Sequence, residues 1–244
     1  MKLRKRTARI GKQKIRYLCG GKGKTLVFLH GWSTNPLAHS EGLELLSGNF
    51  TVYAPFLFDM NFTSLNQLSS SVCDFIEQLG TEKVVLAGTS FGGVIAAMIA
   101  VRKPKLVSKL VLVNTAGIPS KASLLVMAAD SLRSFLMLIA ERRISVLVHR
   151  WLSGIKFHLT FWRHGMLTLS AQLRNKSAIG SVFRKIRVKT VVVWSTDDVT
   201  YPVTFARKIH RSIKNSALVI VKGTHAWQYH SPAMFAMLLA KYAA

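Results

Sequence analysis

The chain has 244 residues, 50% of them hydrophobic, which is enough for one domain with a large core, and its two cysteines, Cys19 and Cys73, exclude a disulfide framework. Lysine and arginine number 34 against 10 aspartates and glutamates, which gives a formal net charge of +24 at pH 7. This charge favours anionic partners such as nucleic acid, acidic protein, anionic lipid or carboxylate substrates, although a bias of composition explains it equally well, and we find no nucleic-acid-binding motif.

The N-terminal half of the chain predicts β-strands that alternate with α-helices. Residues 2–9 are basic, but no apolar segment follows them, so we expect no signal peptide and a cytoplasmic protein. Apolar runs and helical spacing predict strands over 8–10, 15–19, 25–29, 51–54 and 84–87, and helices within 36–46, over 65–79 and over 94–101.

The C-terminal half returns to this alternation after a long insertion. Strands are predicted over 110–113, 188–194 and 217–221, and helices over 204–213 and 232–242. Strands that alternate with helices are typical of a mostly parallel sheet covered by helices on both faces. We therefore predict an α/β core formed by residues 1–117 and 187–244, with a mostly helical cap, residues 118–186, inserted into it.

A serine lies at a sharp glycine turn between a predicted strand and a predicted helix. Residues 88–92 have the sequence GTSFG, which fits the pattern G-x-S-x-G, and they follow the apolar run 84–87. The glycines let strand and helix approach closely, and the start of the helix offers N–H groups to a developing oxyanion. We interpret Ser90 as a nucleophile, and an inert serine in an ordinary strand–turn–helix is the alternative.

A candidate base and a candidate acid follow two later strands. His225 comes directly after the strand 217–221, and most other histidines fall in loops, helices or the insertion. Asp197 and Asp198 follow the strand 188–194 and are the only acidic residues after Glu141, although either suits a turn or a helix cap as well. Since catalytic groups gather at the carboxyl ends of parallel strands, this position favours a serine–histidine–aspartate arrangement.

The chain resembles the α/β-hydrolase-fold serine hydrolases over nearly its full length. It has the family's chain order of serine, aspartate and histidine. The matching segments are residues 30–32 (HGW), residues 88–93 (GTSFGG), Asp198 with Pro202 four residues later, and His225 with Pro232 seven residues later. The spacing to the prolines, which is typical of the family, selects Asp198 over Asp197.

The resemblance implies a carboxylic ester hydrolase that forms an acyl-enzyme on Ser90. It implies Ser90, Asp198 and His225 as the catalytic residues and the backbone N–H groups of Trp32 and Phe91 as the oxyanion hole. It calls for no cofactor and no metal ion. It does not identify the substrate-binding residues, the acyl chain length, the leaving group, the oligomeric state or whether the cap moves.

Two positions depart from the family pattern. Many relatives carry D-x-x-G-x-G-x-S after the fourth strand, whereas residues 54–61 here have the sequence APFLFDMN. Ser195 stands where a glycine is usual, three residues before the acid. Neither departure removes a catalytic group, but together they leave the substrate unassigned.

The predicted cap leaves several substrates open. It carries eleven lysines and arginines against Asp130 and Glu141, and in this it resembles the esterases that act on pimeloyl-acyl carrier protein methyl ester, whose carrier is acidic. An ester on an acidic acyl carrier is therefore one alternative. A membrane lipid ester is another, because the apolar stretches of the cap suit a peripheral contact with an anionic membrane. A carbon–carbon bond hydrolase or a ligand receptor built on the same three residues stays open as well.

Overall fold

A mixed β-sheet runs through the part of the chain that the computed structural model describes, residues 1–11, 13–32, 34–60, 62–117, 124–161 and 176–243. In these residues its strands are β1 (Arg4–Ile10), β2 (Gln13–Gly21), β3 (Lys24–Leu29), β4 (Phe50–Pro55), β5 (Val84–Thr89), β6 (Val107–Val113), β7 (Thr190–Ser195) and β8 (Ser216–Val221). Their order across the sheet is β1-β2-β4-β3-β5-β6-β7-β8. Strands β3 to β8 pair in parallel, whereas β1 and β2 are antiparallel, which confirms the predicted mostly parallel sheet.

The position of a strand in the sheet explains its composition. Strands β5 and β7 lie inside the sheet, and every residue of both is buried, which accounts for their uninterrupted apolar sequences. Strand β1 lies at the edge and is mostly exposed, with the basic sequence RKRTARI. Charged side chains on an edge strand hinder pairing with another chain, so these arginines and lysines protect the open edge.

Helices cover both faces of the sheet. They are α1 (Ser40–Leu46), α2 (Leu65–Gln78), α3 (Phe91–Arg102), α4 (Leu124–Ala140), α5 (Ile144–Phe161), α6 (Lys176–Lys185), α7 (Val203–Ser212), α8 (Trp227–His230) and α9 (Pro232–Ala243). Leu86 and Leu112 point into the core cluster shared with α2, α3, α6 and α7. Their neighbours Val85 and Val111 point into the opposite cluster, shared with α1 and α9. This alternation gives the three-layer α/β/α arrangement of the predicted fold class.

Helices α4 and α5 form a helical hairpin over one end of the sheet. Leu138 of α4 is fully buried against Ala38, which follows β3, and against Ala226 and Tyr229, which follow β8. The hairpin therefore lies over the carboxyl ends of the strands. It belongs to the predicted cap, of which residues 118–123 and 162–175 lie outside the described residues, and the division of the chain into core and cap stays a prediction.

Some elements differ in detail from the sequence-based expectations. Segment 36–46 divides into a 3-10 turn, Pro36–His39, and helix α1, because the Asn35 side chain caps the turn at Leu37 N–H. Helix α3 begins at Phe91, three residues earlier than predicted. The single-turn helix α8 was not predicted, since four residues carry no helical periodicity.

Candidate active site

Ser90 lies in a strained backbone conformation between β5 and α3. Its φ of 50° and ψ of −115° fall in a region that L-residues rarely adopt, at a cost of about 1–3 kcal/mol. Hydrogen bonds hold the peptide there: Ser90 N–H donates to Val113 O at 3.0 Å, and Gly93 and Ala116 N–H both donate to Ser90 O at 3.1 Å. The strain is therefore built into the turn and raises the side chain away from the sheet.

The glycines around Ser90 are required by close backbone contacts. A Cβ atom on Gly88 would collide with the backbone of Gly92, and one on Gly92 would collide with the carbonyl of Leu29. A Cβ atom on Gly93 would collide with the Thr115 side chain. Strand and helix therefore approach as closely as the sequence pattern predicts.

The structure brings Ser90, His225 and Asp198 together in a chain of hydrogen bonds. His225 Nε2 lies 3.1 Å from Ser90 Oγ, and His225 Nδ1 lies 2.7 Å from Asp198 Oδ2. The three residues follow β5, β8 and β7. Asp197 instead accepts a hydrogen bond from the hydroxyl of neighbouring Thr196 at 2.8 Å and is exposed, so the acid beside the histidine is Asp198.

The Asp198 carboxylate is completely buried and is held from three sides. Its side chain is 0% exposed. Tyr201 N–H donates to Oδ1 at 2.7 Å, and Asn114 Nδ2 donates to Oδ2 at 2.6 Å, beside the contact from His225. These donors compensate the burial of the negative charge and fix the orientation of the carboxylate toward the imidazole.

Asn114 connects the acid to its surroundings and was missed by the sequence analysis. It follows β6 directly and has a φ of 41°, a left-handed conformation that asparagine tolerates better than most residues. Its Nδ2 also donates to Ser195 Oγ at 2.7 Å, and its Oδ1 accepts from Trp227 Nε1 at 2.9 Å. The sequence feature that could have identified Asn114 is its position, since it is a polar residue at the carboxyl end of a buried strand.

Ser195, one of the two departures from the family pattern, has a structural role in the same network. Its hydroxyl accepts from Asn114 and donates to Thr224 O at 2.8 Å. Thr224 immediately precedes His225, so this hydroxyl links the acid's neighbour to the segment that carries the base.

The turn His30-Gly31-Trp32 lies directly beside Ser90, where a Cβ atom on Gly31 would be 3.5 Å from Ser90 Cβ. His30 is fully buried; its Nδ1 donates to Gly31 O at 3.0 Å and its Nε2 accepts from Leu57 N–H at 3.0 Å. Burial lowers the pKa of His30 to about 4, the Gly31 hydrogen bond opposing it, so the ring is neutral at pH 7. His30 thereby ties the turn to the segment after β4.

An aromatic cluster adjoins Ser90. The Trp32 ring packs edge-on against Phe91 at 5.1 Å and against Phe58 at 5.9 Å, and Phe58 stacks on Phe91 at 5.7 Å. Phe62 lies 6.5 Å from Phe58. Phe58 belongs to the segment that departs from the family pattern, so an apolar wall stands where many relatives carry polar and small residues.

Besides Asp198, a carboxyl group of the helical hairpin lies near His225. Asp130 of α4 is buried and lies 3.5 Å from Thr200 Oγ1. Burial raises the pKa of the Asp130 carboxyl, and the charge of Asp198 adds to this, while His225 opposes it. Within the residues that the structure describes, no group of three or more His, Cys, Asp or Glu side chains is placed to hold a metal ion.

Comparisons with known proteins agree with this architecture. The model of the alpha/beta hydrolase family matches residues 26–238. An uncharacterised protein of Mycobacterium tuberculosis is 23% identical over 91% of this chain and 76% of its own length. A pimeloyl-[acyl-carrier protein] methyl ester esterase of Vibrio campbellii is 35% identical over 95 residues, 38% of this chain and 37% of the esterase.

Solved structures share the fold at low sequence identity. A provisionally assigned lipase from Acinetobacter baumannii superposes with a TM-score of 0.81 at 19% identity, covering 99% of this chain and 91% of that one. A meta-cleavage product hydrolase from Pseudomonas fluorescens superposes with a TM-score of 0.80 at 17% identity, covering 98% and 97%. Since the family model spans most of the chain and the fold agrees with it, this chain is a hydrolase that belongs to the alpha/beta hydrolase family.

Proposed function

We propose that this hydrolase cleaves carboxylic esters through an acyl-enzyme formed on Ser90. The observation that carries the proposal is the unbroken hydrogen-bonded chain from Ser90 Oγ through His225 to Asp198, with the serine on a strained turn. A serine hydroxyl is a weak nucleophile unless an adjacent base removes its proton and a third group orients that base. The three side chains supply these roles.

The hydrogen bonds define the proton path. Asp198 is a carboxylate acceptor, so His225 Nδ1 carries a proton and Nε2 presents its lone pair to the Ser90 hydroxyl. As Ser90 Oγ attacks the ester carbonyl, its proton passes to His225 Nε2, and Asp198 stabilises the imidazolium that forms. His225 then returns the proton to the departing alcohol, and a water deprotonated by the same nitrogen hydrolyses the acyl-enzyme.

The backbone N–H groups of Trp32 and Phe91 form the oxyanion hole in this proposal. Phe91 is the first residue of α3, where N–H groups have no partner inside the helix. Gly31 places the neighbouring turn against Ser90, and the Trp32 and Phe91 rings contact each other, so both residues border the nucleophile. Donors fixed there would stabilise the charge that develops on the carbonyl oxygen.

The surroundings of Ser90 favour an apolar acyl group. In the aromatic cluster, Trp32, Phe58 and Phe62 are partly exposed and offer uncharged ring surface, whereas Phe91 is buried. An alkyl or aryl chain placed against these rings would be removed from water.

A panel of p-nitrophenyl esters with short, medium and long acyl chains tests the proposal. We expect turnover of at least one ester, and Ser90→Ala should lower kcat about a thousandfold or more. Ser145→Ala, at an exposed serine of α5, is the matched control and should leave kcat unchanged. Equal turnover by Ser90→Ala and the unchanged chain would refute the proposal.

An ester carried by an acidic acyl carrier protein is the second candidate substrate. The local 35% identity to the Vibrio campbellii esterase and the net charge of +24 support it. Attraction between the basic chain and an acidic carrier weakens with salt, whereas turnover of a small neutral ester does not depend on it. The test measures kcat/KM for the carrier-bound ester and for the free ester at low and at high salt. If the ratio of the two values stays constant, the result argues against this candidate.

A further inference from the structure

Helix α4 turns its apolar side away from the protein. Leu132, Phe135, Leu136 and Ile139 lie at helical spacing along one side and are exposed by 44–58%. The opposite side, which faces the protein, carries the buried residues Asp130, Ser134 and Leu138. A helix on the surface of a water-soluble domain normally shows the reverse arrangement, with polar residues outward.

Helix α5, which contacts α4, also carries an exposed apolar side. Its exposed large apolar residues also fall on one side of the helix; they are Ile144, Val148, Trp151, Leu152 and Ile155. Trp151 is the most exposed, at 64%. We call these five residues and the four of α4 the hairpin face. Of the 14 exposed large hydrophobic residues in the described ranges, nine lie on this face, which marks it as an interaction surface.

Polar contacts on the inner side fix the hairpin in this orientation. Arg143, at the turn between the helices, pairs with Glu41 of α1 at 2.5 Å and donates to His230 O at 3.3 Å. His230 Nδ1 in turn lies 2.8 Å from Glu141 Oε2. Arg150 of α5 lies over the ring of Tyr229, 5.1 Å from its centroid. Because these polar side chains of the hairpin bind residues of the core, the apolar side of the hairpin is directed away from the core.

Charge decides which partner suits the face. Arg133 and Arg142 are exposed in the hairpin, whereas its acids are occupied: Asp130 is buried and Glu141 pairs with Arg143 and His230. A second copy of the chain would bring two molecules of net charge +24 together. Basic residues beside leucine, phenylalanine and tryptophan on a helix are instead typical of segments that lie in the interface of an anionic membrane.

We infer that the hairpin face docks on the surface of an anionic lipid bilayer, with α4 and α5 parallel to the membrane plane. Among the described helices none combines the length and the hydropathy needed to cross a bilayer. The nine apolar side chains enter the headgroup–acyl boundary, and the arginines meet the lipid phosphates. This surface does not depend on the chemistry proposed for Ser90.

Vesicle co-sedimentation of the full chain without substrate tests the docking surface. We compare phosphatidylcholine vesicles with equimolar phosphatidylcholine–phosphatidylglycerol vesicles and expect much stronger binding to the second. The double variant Leu136→Asp/Trp151→Asp should weaken that binding at least about tenfold, because charged residues are expelled from the interface. The matched control Leu45→Asp/Met237→Asp, at residues exposed by 54% and 59% elsewhere, should bind like the unchanged chain.

Two further measurements keep the result unambiguous. Melting temperatures show whether both double variants fold. Quenching of Trp151 fluorescence by brominated lipid reports insertion of this side chain into the bilayer. The variant Trp151→Phe, which leaves the charge unchanged, is the reference for this quenching. The inference would be overturned if the two double variants bound the anionic vesicles equally, or if the unchanged chain did not bind them. It would also be overturned if the quenching did not depend on Trp151. A face-dependent dimer, or face-dependent capture of an acidic acyl carrier protein, in the absence of vesicles would overturn it as well. All measurements are repeated in Ser90→Ala, so that loss of hydrolysis and loss of docking are separable.

Discussion

Asn114 Nδ2 lies 2.6 Å from Asp198 Oδ2, the same carboxylate oxygen that accepts a hydrogen bond from His225 Nδ1–H. The amide of Asn114 therefore holds the same carboxylate oxygen that faces the His225 imidazole. Because Asn114 itself is fixed by Ser195 and Trp227, the orientation of Asp198 is determined by residues from β6, β7 and α8. Asn114 acts through Asp198 and is a positioning residue.

Replacing Asn114 by aspartate should impair hydrolysis while the backbone conformation at φ 41° is retained, since aspartate tolerates it almost as well. The variant removes the donor to Asp198 and places two carboxylates side by side. We expect kcat to fall about 10- to 100-fold with little change in KM, because substrate contacts are untouched. The kcat and KM values for the best ester of the panel measure this, and an unchanged kcat would contradict the assigned role.

Ser195→Gly supplies the matched comparison at the neighbouring position. It introduces the residue usual in the family and removes the hydroxyl between Asn114 and Thr224, but it leaves the hydrogen bond from Asn114 to Asp198 in place. We expect a loss of about 1 kcal/mol in the free energy of unfolding and a change in kcat of less than about threefold. A larger fall in kcat than in Asn114→Asp would show that Ser195 is the more important support.

The fold should lose stability in mild acid because of His30. Its pKa is about 4 in the folded chain against 6.5 for the free side chain, so between these values the unfolded state binds a proton that the folded state does not. The free energy of unfolding therefore has its full value above about pH 6.5 and falls by up to about 3 kcal/mol as the pH approaches 4. Burial lowers the pKa of His39 as well, which acts in the same direction.

Urea denaturation at pH 7 and pH 4.5 measures this effect. The free energy of unfolding should fall more between the two pH values in the unchanged chain than in His30→Gln, which cannot take up a proton. An identical fall in both chains would exclude His30 as a source of the acid sensitivity.

The close approach at the serine turn predicts unequal costs for two glycine substitutions. In Gly92→Ala the new methyl group would collide with the backbone at Leu29, and we expect a loss of several kcal/mol, roughly 3 or more. In Gly180→Ala, within α6, nothing lies within 4 Å of the new atom, and alanine favours the helix, so stability should be unchanged or higher by up to about 1 kcal/mol. Denaturation curves of the two variants check the contrast, and equal losses would contradict it.

The sheet and the three candidate catalytic residues follow from patterns that the sequence displays locally. Buried strands such as β5 and β7 are continuous apolar runs, and Ser90, Asp198 and His225 each follow such a run. Strand β1 is longer than predicted because an exposed edge strand needs no apolar run. Asn114 escaped notice because its importance lies in contacts with residues about 80 to 115 positions away, which no local pattern encodes.

The hairpin illustrates a different limit. Its long apolar stretches suit helices that pack in a core as well as helices with an outward apolar side, and in α2 the apolar residues mark a face that is buried. The direction of these helices becomes visible only in the structure, where Leu138 is buried and Leu136 and Trp151 are exposed by 55% and 64%.

Labelling with a fluorophosphonate, followed by tandem mass spectrometry of the digested protein, shows directly whether Ser90 is an activated nucleophile. The reagent phosphonylates a serine hydroxyl only where a neighbouring base activates it. We predict one phosphonyl group per chain, located at Ser90, formed far more slowly in His225→Ala and absent in Ser90→Ala. A label at any other residue, or equal labelling of the unchanged chain and His225→Ala, would contradict it.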